Sequence, residues 1–184
     1  MKLKFLGAAG MVTGSCYFLQ GTNTGIMIDC GMFQGVKEEE ELNFSKPAID
    51  FGKLNAVVLT HAHLDHCGRL PHLLSFGFDG PVFMNEPTKA LAELVLMDAA
   101  KIAREDATDT MYTEDEVQKL LKRVVLVEYH KPFEIGDFIL TMTDAGHILG
   151  STSILVEETK TGKKIVFSGD LGNTPEPLLS PTEW

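Results

Sequence analysis

Thr60-His61-Ala62-His63-Leu64-Asp65-His66 places three imidazoles and a carboxylate within six residues, directly after the apolar run Ala56-Val57-Val58-Leu59. That run is short and rich in β-branched residues, so it reads as a buried strand that delivers the histidines to a sheet edge. Packed together without a ligand, such groups leave several polar atoms to satisfy, and their charged forms repel one another in acid. A divalent cation resolves both problems. His61 and His63 are two apart, which in an extended segment turns both rings to one side, while Asp65 and His66 follow as the chain bends. The spacing suits two neighbouring metals better than one. A single H-x-H also occurs in surface histidine clusters and adventitious metal sites. The complete H-x-H-x-D-H run after a strand favours a built site.

With 184 residues and 44% hydrophobic content, the chain can bury a sizeable core as about one domain. A net charge of -10 argues against a generic nucleic-acid-binding surface, which is normally basic. An acidic substrate would therefore need metal ions, or other protein surface, to neutralise it. Three cysteines, Cys16, Cys30 and Cys67, have no C-x-x-C spacing and favour a reducing cytoplasm over a disulfide framework. Cys67 follows His66 but begins an apolar pattern, so it reads as a buried thiol rather than a ligand. The start of the chain faintly resembles a signal peptide, but its apolar stretch is short and broken by Gly7 and Gly10. No apolar run is long enough to span a membrane.

Residues 2–7, 14–20 and 25–30 read as an opening antiparallel meander, with Thr22-Asn23 as hairpin-turn chemistry. Asp29 ends the third strand, either as an ordinary turn residue or as a carboxylate that orients a metal-binding loop. Residues 31–53 lack periodicity and read as a long loop bordering the active-site cleft, with Glu38 to Glu41 a solvated face. Helices are expected over 68–76, over 87–105 with Leu91, Leu94, Val95 and Ile102 on the apolar face, and after Thr113, where Thr113 and Glu116 have capping-box spacing. Strands are expected at 81–84, 124–128, 133–144, 151–157 and 163–168. Two of the last strands end in candidate ligands. His147 lies in Asp144-Ala145-Gly146-His147-Ile148-Leu149-Gly150-Ser151, and Asp170 in Ser168-Gly169-Asp170-Leu171-Gly172. Each is weak alone, and each gains weight beside His61 to His66. His72 and His130 lack partners at ligand spacing and read as structural. The tail from Thr174 to Pro181 reads as extended.

Taken in order, residues 1–10, Thr60 to His66, Asp144 to Ser151 and Ser168 to Gly172 resemble successive motifs of the metallo-β-lactamase superfamily. In particular they resemble the amino-terminal part of the β-CASP ribonucleases, RNA-processing exonucleases and endonucleases. The similarity runs over essentially the whole chain. H-x-H-x-D-H identifies the superfamily only, whereas G-H-x-L-G-S around His147 narrows the match to the β-CASP group. The resemblance implies an α/β fold, the αββα sandwich, with metal ligands on loops at one edge of two packed sheets. It implies that His61, His63 and His147 bind one zinc, Asp65 and His66 a second, and that Asp170 bridges them while Asp29 supports the loop. Asp65, His66 and Asp170 then belong to the catalytic centre. Manganese and iron also suit such ligands.

The implied activity is zinc-dependent hydrolysis of RNA phosphodiesters, with cations stabilising charge on the phosphoryl oxygens. Family members continue into an inserted β-CASP domain and return to supply one more histidine ligand and a general-acid histidine. Residues 1–184 are thus expected to form the amino-terminal part of the metallo-β-lactamase domain. The second metal site is expected to be incomplete, the first zinc to bind more tightly, and the chain alone to have little nuclease activity. RNA is the expected partner through the full-length parent, and a second copy of the chain is a candidate partner at an exposed sheet edge. Two rivals stand beside this reading: a thioesterase or lactonase acting on a small acidic molecule, and a non-catalytic, metal-stabilised scaffold module.

Overall fold

The computed structural model describes residues 1–106, 110–173 and 178–183. The meander is present as β1 (Lys2–Phe5), β2 (Tyr17–Gln20) and β3 (Gly25–Ile28), paired antiparallel. The connection that follows holds one helical turn, α1 (Lys37–Glu40), with no buried residue, and two 3-10 turns. Among the described residues, its stretch 31–53 lines neither of the two clefts found beside the histidines, and its Asn43 side chain bonds both backbone groups of Phe33, at 2.7 and 2.8 Å. β4 (Leu54–Val58) is next, then α2 (Leu64–Cys67), β5 (Val82–Met84), α3 (Glu86–Glu105), α4 (Glu114–Leu121) and β6 (Val124–Leu126). The last four strands are β7 (Phe133–Ile135), β8 (Phe138–Asp144), β9 (Thr152–Glu158) and β10 (Lys164–Phe167).

The first sheet has six strands in the order β1-β2-β3-β4-β5-β6, parallel from β3 onward, and the second has four in the order β10-β9-β8-β7. β4 is therefore interior, and the histidines leave the carboxyl end of a central strand rather than a lateral edge. Alternation along β4 explains the layers. Ala56 and Val58 face the second sheet, joining Ile28, Phe138, Leu140, Met142, Ile154 and Val156 in one core. Val57 and Leu59 face the helices, joining Leu70, Leu96, Val117 and Leu120 in another. Each fully buried Leu contributes about 2 kcal/mol. The layers are helices, sheet and sheet; among the described residues, α2, α3 and α4 all pack in the first core and the second holds no helical residue.

Three elements differ from expectation for identifiable reasons. The span 68–76, expected as a helix, holds a 3-10 segment, Pro71–Phe76, ended by Gly77 at φ 89°, while the α-helical turn α2 lies before it; Pro71 lacks an amide N–H and crowds the preceding turn, so α2 does not continue through it. The strand expected over 133–144 is a hairpin turning at Gly136 (φ 53°) and Asp137. On α3, the buried face is Thr88, Ala92, Leu96 and Ala100, whereas Leu94 and Ile102 are 66% and 50% exposed. The buried line of the helix runs through small residues and Leu96, so the larger Leu94 and Ile102 are left outward. The capping box at Thr113 forms as expected, with Glu116 accepting from the Thr113 amide at 2.8 Å. The tail expectation over 174–177 lies outside the described residues.

Candidate metal centre

β4 ends at Val58, and Leu59 and Thr60 carry the buried chain to His61, whose side chain is 0% exposed. Extended backbone at His63 then opens α2, so His61 and His63 share a side while Asp65 and His66 sit on the first helical turn. His61 Nε2 lies 3.2 Å from His63 Nδ1, and His147 Nε2 lies 3.1 Å from the same atom. Asp170 Oδ2 is 3.7 Å from His61 Nε2 and 3.6 Å from His147 Nε2. Its other oxygen, Oδ1, is 3.2 Å from His66 Nε2, which lies 3.9 Å from Asp65 Oδ2. The donor atoms thus form two sets that could hold a cation, His61-His63-His147-Asp170 and Asp65-His66-Asp170, each within 4.8 Å. Asp170 belongs to both sets through opposite oxygens. Imidazole nitrogens and carboxylate oxygens facing one another at such distances fit the preferences of zinc, with manganese and iron also compatible.

Asp29 sits beneath the loop, 1% exposed and at φ 57°, a left-handed conformation that aspartate tolerates better than most residues. Its Oδ1 accepts from the Thr60 amide and its Oδ2 from the Thr60 hydroxyl and from His66 Nδ1, all at 2.8 Å. Since Thr60 Oγ1 gives its proton to Asp29, the 3.0 Å contact with His61 Nδ1 assigns the imidazole as donor. In both rings Nδ1 then carries the proton and Nε2 offers its lone pair to the cluster, the orientation a metal ligand needs.

Burial, aided by the neighbouring His66, His63 and His147 rings, pushes the pKa of His61 down to about 2 and keeps it neutral. Burial also opposes charging of His66, but the Asp29 carboxylate bonded to it, with Asp170 and Asp65, raises its pKa overall. His147 is lowered, burial and the His63 ring outweighing Asp170.

Three contacts bring the remote donors in. Thr152 donates its amide and hydroxyl to the Thr60 carbonyl, at 2.9 and 3.0 Å, fastening the second sheet to the end of β4. Ser151 Oγ accepts from the amides of His147 and Ile148 at 3.0 and 3.2 Å, shaping the loop. Asn85 and Thr88 each donate to the Gly150 carbonyl at 2.7 Å. The side chains of Thr152, Ser151, Asn85 and Thr88 were not evident as site residues in the sequence, although Ser151 stands inside a quoted motif. Gly31 permits the closest approach, since a Cβ there would lie 1.6 Å from the Asp65 carbonyl oxygen.

The residues read as structural do not join the donors. His72 bonds Ser75, His130 pairs with Glu183 at 3.3 Å, and Cys67 is a buried thiol whose pKa burial raises. Two clefts flank the cluster. One of about 290 Å³ is lined by Tyr17, Asp29, His66, Phe167 and Asp170. The other, about 740 Å³, is bounded by His63, Leu91, Val95, His147, Leu149 and Leu179. No helix among the described residues is long and apolar enough to cross a membrane.

The sequence profile of the Metallo-beta-lactamase superfamily matches residues 9–182. Transcription termination factor FttA of Methanocaldococcus jannaschii is 33% identical over 182 residues, covering 98% of this chain and 29% of that protein. Ribonuclease TTHA0252 of Thermus thermophilus is 38% identical, covering 98% of this chain and 41% of its own length. Integrator complex subunit 11 of Danio rerio is 32% identical, covering 96% of this chain and 30% of its own. The chain thus spans well under half of these curated relatives. Among solved structures, a Cronobacter sakazakii metallo-beta-lactamase with a HARLDQ motif superposes with a TM-score of 0.59 at 19% identity, covering 95% of this chain and 58% of that one. The metallo-beta-lactamase fold protein YhfI of Bacillus subtilis gives 0.53 at 18%, covering 91% and 61%. With the match spanning nearly all of the chain, and with donors, sheets and helices arranged as described, the chain belongs to the metallo-beta-lactamase superfamily.

Proposed function

We propose that this chain is the metal-binding part of a cytoplasmic hydrolase that cleaves RNA phosphodiester bonds in its full-length form, of the β-CASP kind. The observation that carries the reading is Asp170, which turns one oxygen to each of two donor sets, as a bridging carboxylate between paired cations would. The ribonuclease named among the relatives supports the choice of substrate. His61, His63 and His147 would hold one cation, Asp65 and His66 the other, and Asp170 both. Zinc is the preferred ion. When bound, the pair supplies Lewis acidity and acidifies water at neutral pH. The chain's own residues prepare this site. Burial keeps His61 neutral so that its lone pair is available. Asp29 fixes the His66 tautomer and, through Thr60, that of His61. In a chain of net charge -10, attraction for a phosphodiester is local to the cations.

A second reading has its own observation. The larger cleft beside His63 and His147 is walled by Leu91, Val95, Leu149 and Leu179, with no lysine or arginine among the described residues, which suits the apolar part of a small ester or thioester. Metal analysis, followed by RNA, thioester and lactone substrates with added zinc or manganese, separates the two. We expect bound zinc, weak or absent turnover by residues 1–184, and RNA cleavage by the full-length protein that His63→Ala abolishes. Thioester or lactone turnover with intact RNA would overturn the nuclease reading.

A further inference from the structure

Residues 178–183 lie across the backs of the two loops that carry the remote donors. The Thr182 hydroxyl is 3.0 Å from the Ala145 carbonyl oxygen and 3.3 Å from that of Gly172. The Gly172 amide itself donates to Ala145 at 2.8 Å, so this is the seam where the loop carrying His147 meets the loop carrying Asp170. The seam is tight. A Cβ on Gly172 would lie 1.8 Å from the Gly146 carbonyl oxygen, and one on Gly146 would lie 2.7 Å from the Thr182 amide nitrogen. Glu183 anchors the segment, its amide donating to the Asp144 carbonyl at 2.9 Å and its carboxylate accepting from the Asp144 amide at 3.1 Å. His147 and Asp170, each two residues from an end of the seam, stand 3.6 Å apart.

We propose that Thr182 is a positioning residue: its hydroxyl clamps the His147 loop to the Asp170 loop and so sets the spacing of the cation donors. The inference rests on reading the His61, His63, His147 and Asp170 set as a cation site. Thr182 touches no donor atom, and it acts through the backbone carbonyls at the seam. Valine at this position keeps the shape and removes the donor; Ala145 O still accepts from the Gly172 amide, while the half-buried Gly172 carbonyl loses the Thr182 hydroxyl.

The test is cobalt(II) titration of the chelator-stripped chain, read from its visible absorption, with zinc affinity measured by chelator competition. Thr182→Val should weaken the tighter site about five- to tenfold and alter the cobalt spectrum, and Thr182→Ser should restore both. Thr182→Ala, which places no branched chain against Gly146, serves as a second variant should valine disturb folding. A purely structural role would lower the metal-free melting temperature while leaving affinity and spectrum as in the wild type. That result overturns the proposal. Wild-type chain that takes up no cobalt would overturn the cation reading itself, and the positioning role with it.

Discussion

His61 and His66 have the same side chain five positions apart, yet their surroundings push them in opposite directions. The difference is the partner at Nδ1: His61 meets a hydroxyl, whereas His66 meets the Asp29 carboxylate at 2.8 Å. Asp29→Asn tests this partner, and it also changes the group that accepts from the Thr60 hydroxyl beside His61. An amide can accept from the Thr60 backbone as before, but it can offer a donor to His66 and so reverse which ring nitrogen keeps its lone pair. We expect zinc binding at the Asp65-His66-Asp170 set to weaken about 10- to 100-fold, with the fold retained. Competition titration with circular dichroism checks both parts, and an unchanged affinity would remove Asp29 from the site. His66 and the histidine motif were plain in the sequence. The role of Asp29 was left between turn and support, because the strand end that holds it is 31 residues from Thr60 and meets it only through sheet pairing.

At the scale of elements, the start of α3 serves two structures at once. Asn85 Oδ1 accepts from the Thr88 amide at 3.0 Å as a helix cap, while its amide group donates to Gly150 at the end of the His147 loop. Asn85→Ala loses both, so it should destabilise the fold by about 2 kcal/mol. Asn85→Ser keeps a capping oxygen without the amide donor to Gly150 and should lose only about half as much. Urea denaturation of the pair measures this: no loss in the second variant would mean that the Gly150 bond contributes nothing, and equal losses that the cap contributes nothing. The helix itself was legible from Pro87 and its apolar spacing, but its buried face was not. Leu94 and Ile102 look like core residues in the sequence, but which face of the helix is buried is set by its packing into the first core beside α2 and α4, where Ala92, Leu96 and Ala100 lie.

For the molecule as a whole, gathering neutral imidazoles makes the metal-free fold sensitive to acid. His61 has a folded pKa of about 2, below its unfolded value, so its contribution is present above about pH 6.5 and is lost as pH falls. His147 acts in the same direction, and His66, being raised, in the opposite one: its contribution is present below about pH 6.5 and is lost as pH rises through its folded value. The His61 displacement is large, so stability of the chelator-stripped chain should fall by roughly 1 kcal/mol per unit between pH 6.5 and 5.5. His61→Asn should flatten that slope, and a slope in urea denaturation that this substitution leaves unchanged would contradict the burial argument.

Sequence alone determined the strand before His61, the donor types and their local spacing, the opening meander and the capping box at Thr113, since each depends on neighbours along the chain. It also pointed to His147 and Asp170, though only as residues past strand ends. What the tertiary structure decided is that these loops meet: β4 lies inside the sheet, Thr152 fastens the second sheet to Thr60, and Asp170 reaches both donor sets. Convergence of this kind depends on strand register and on glycines whose missing side chains admit a neighbouring backbone, and neither has a local signature, because both are settled by residues as much as a hundred or more positions away.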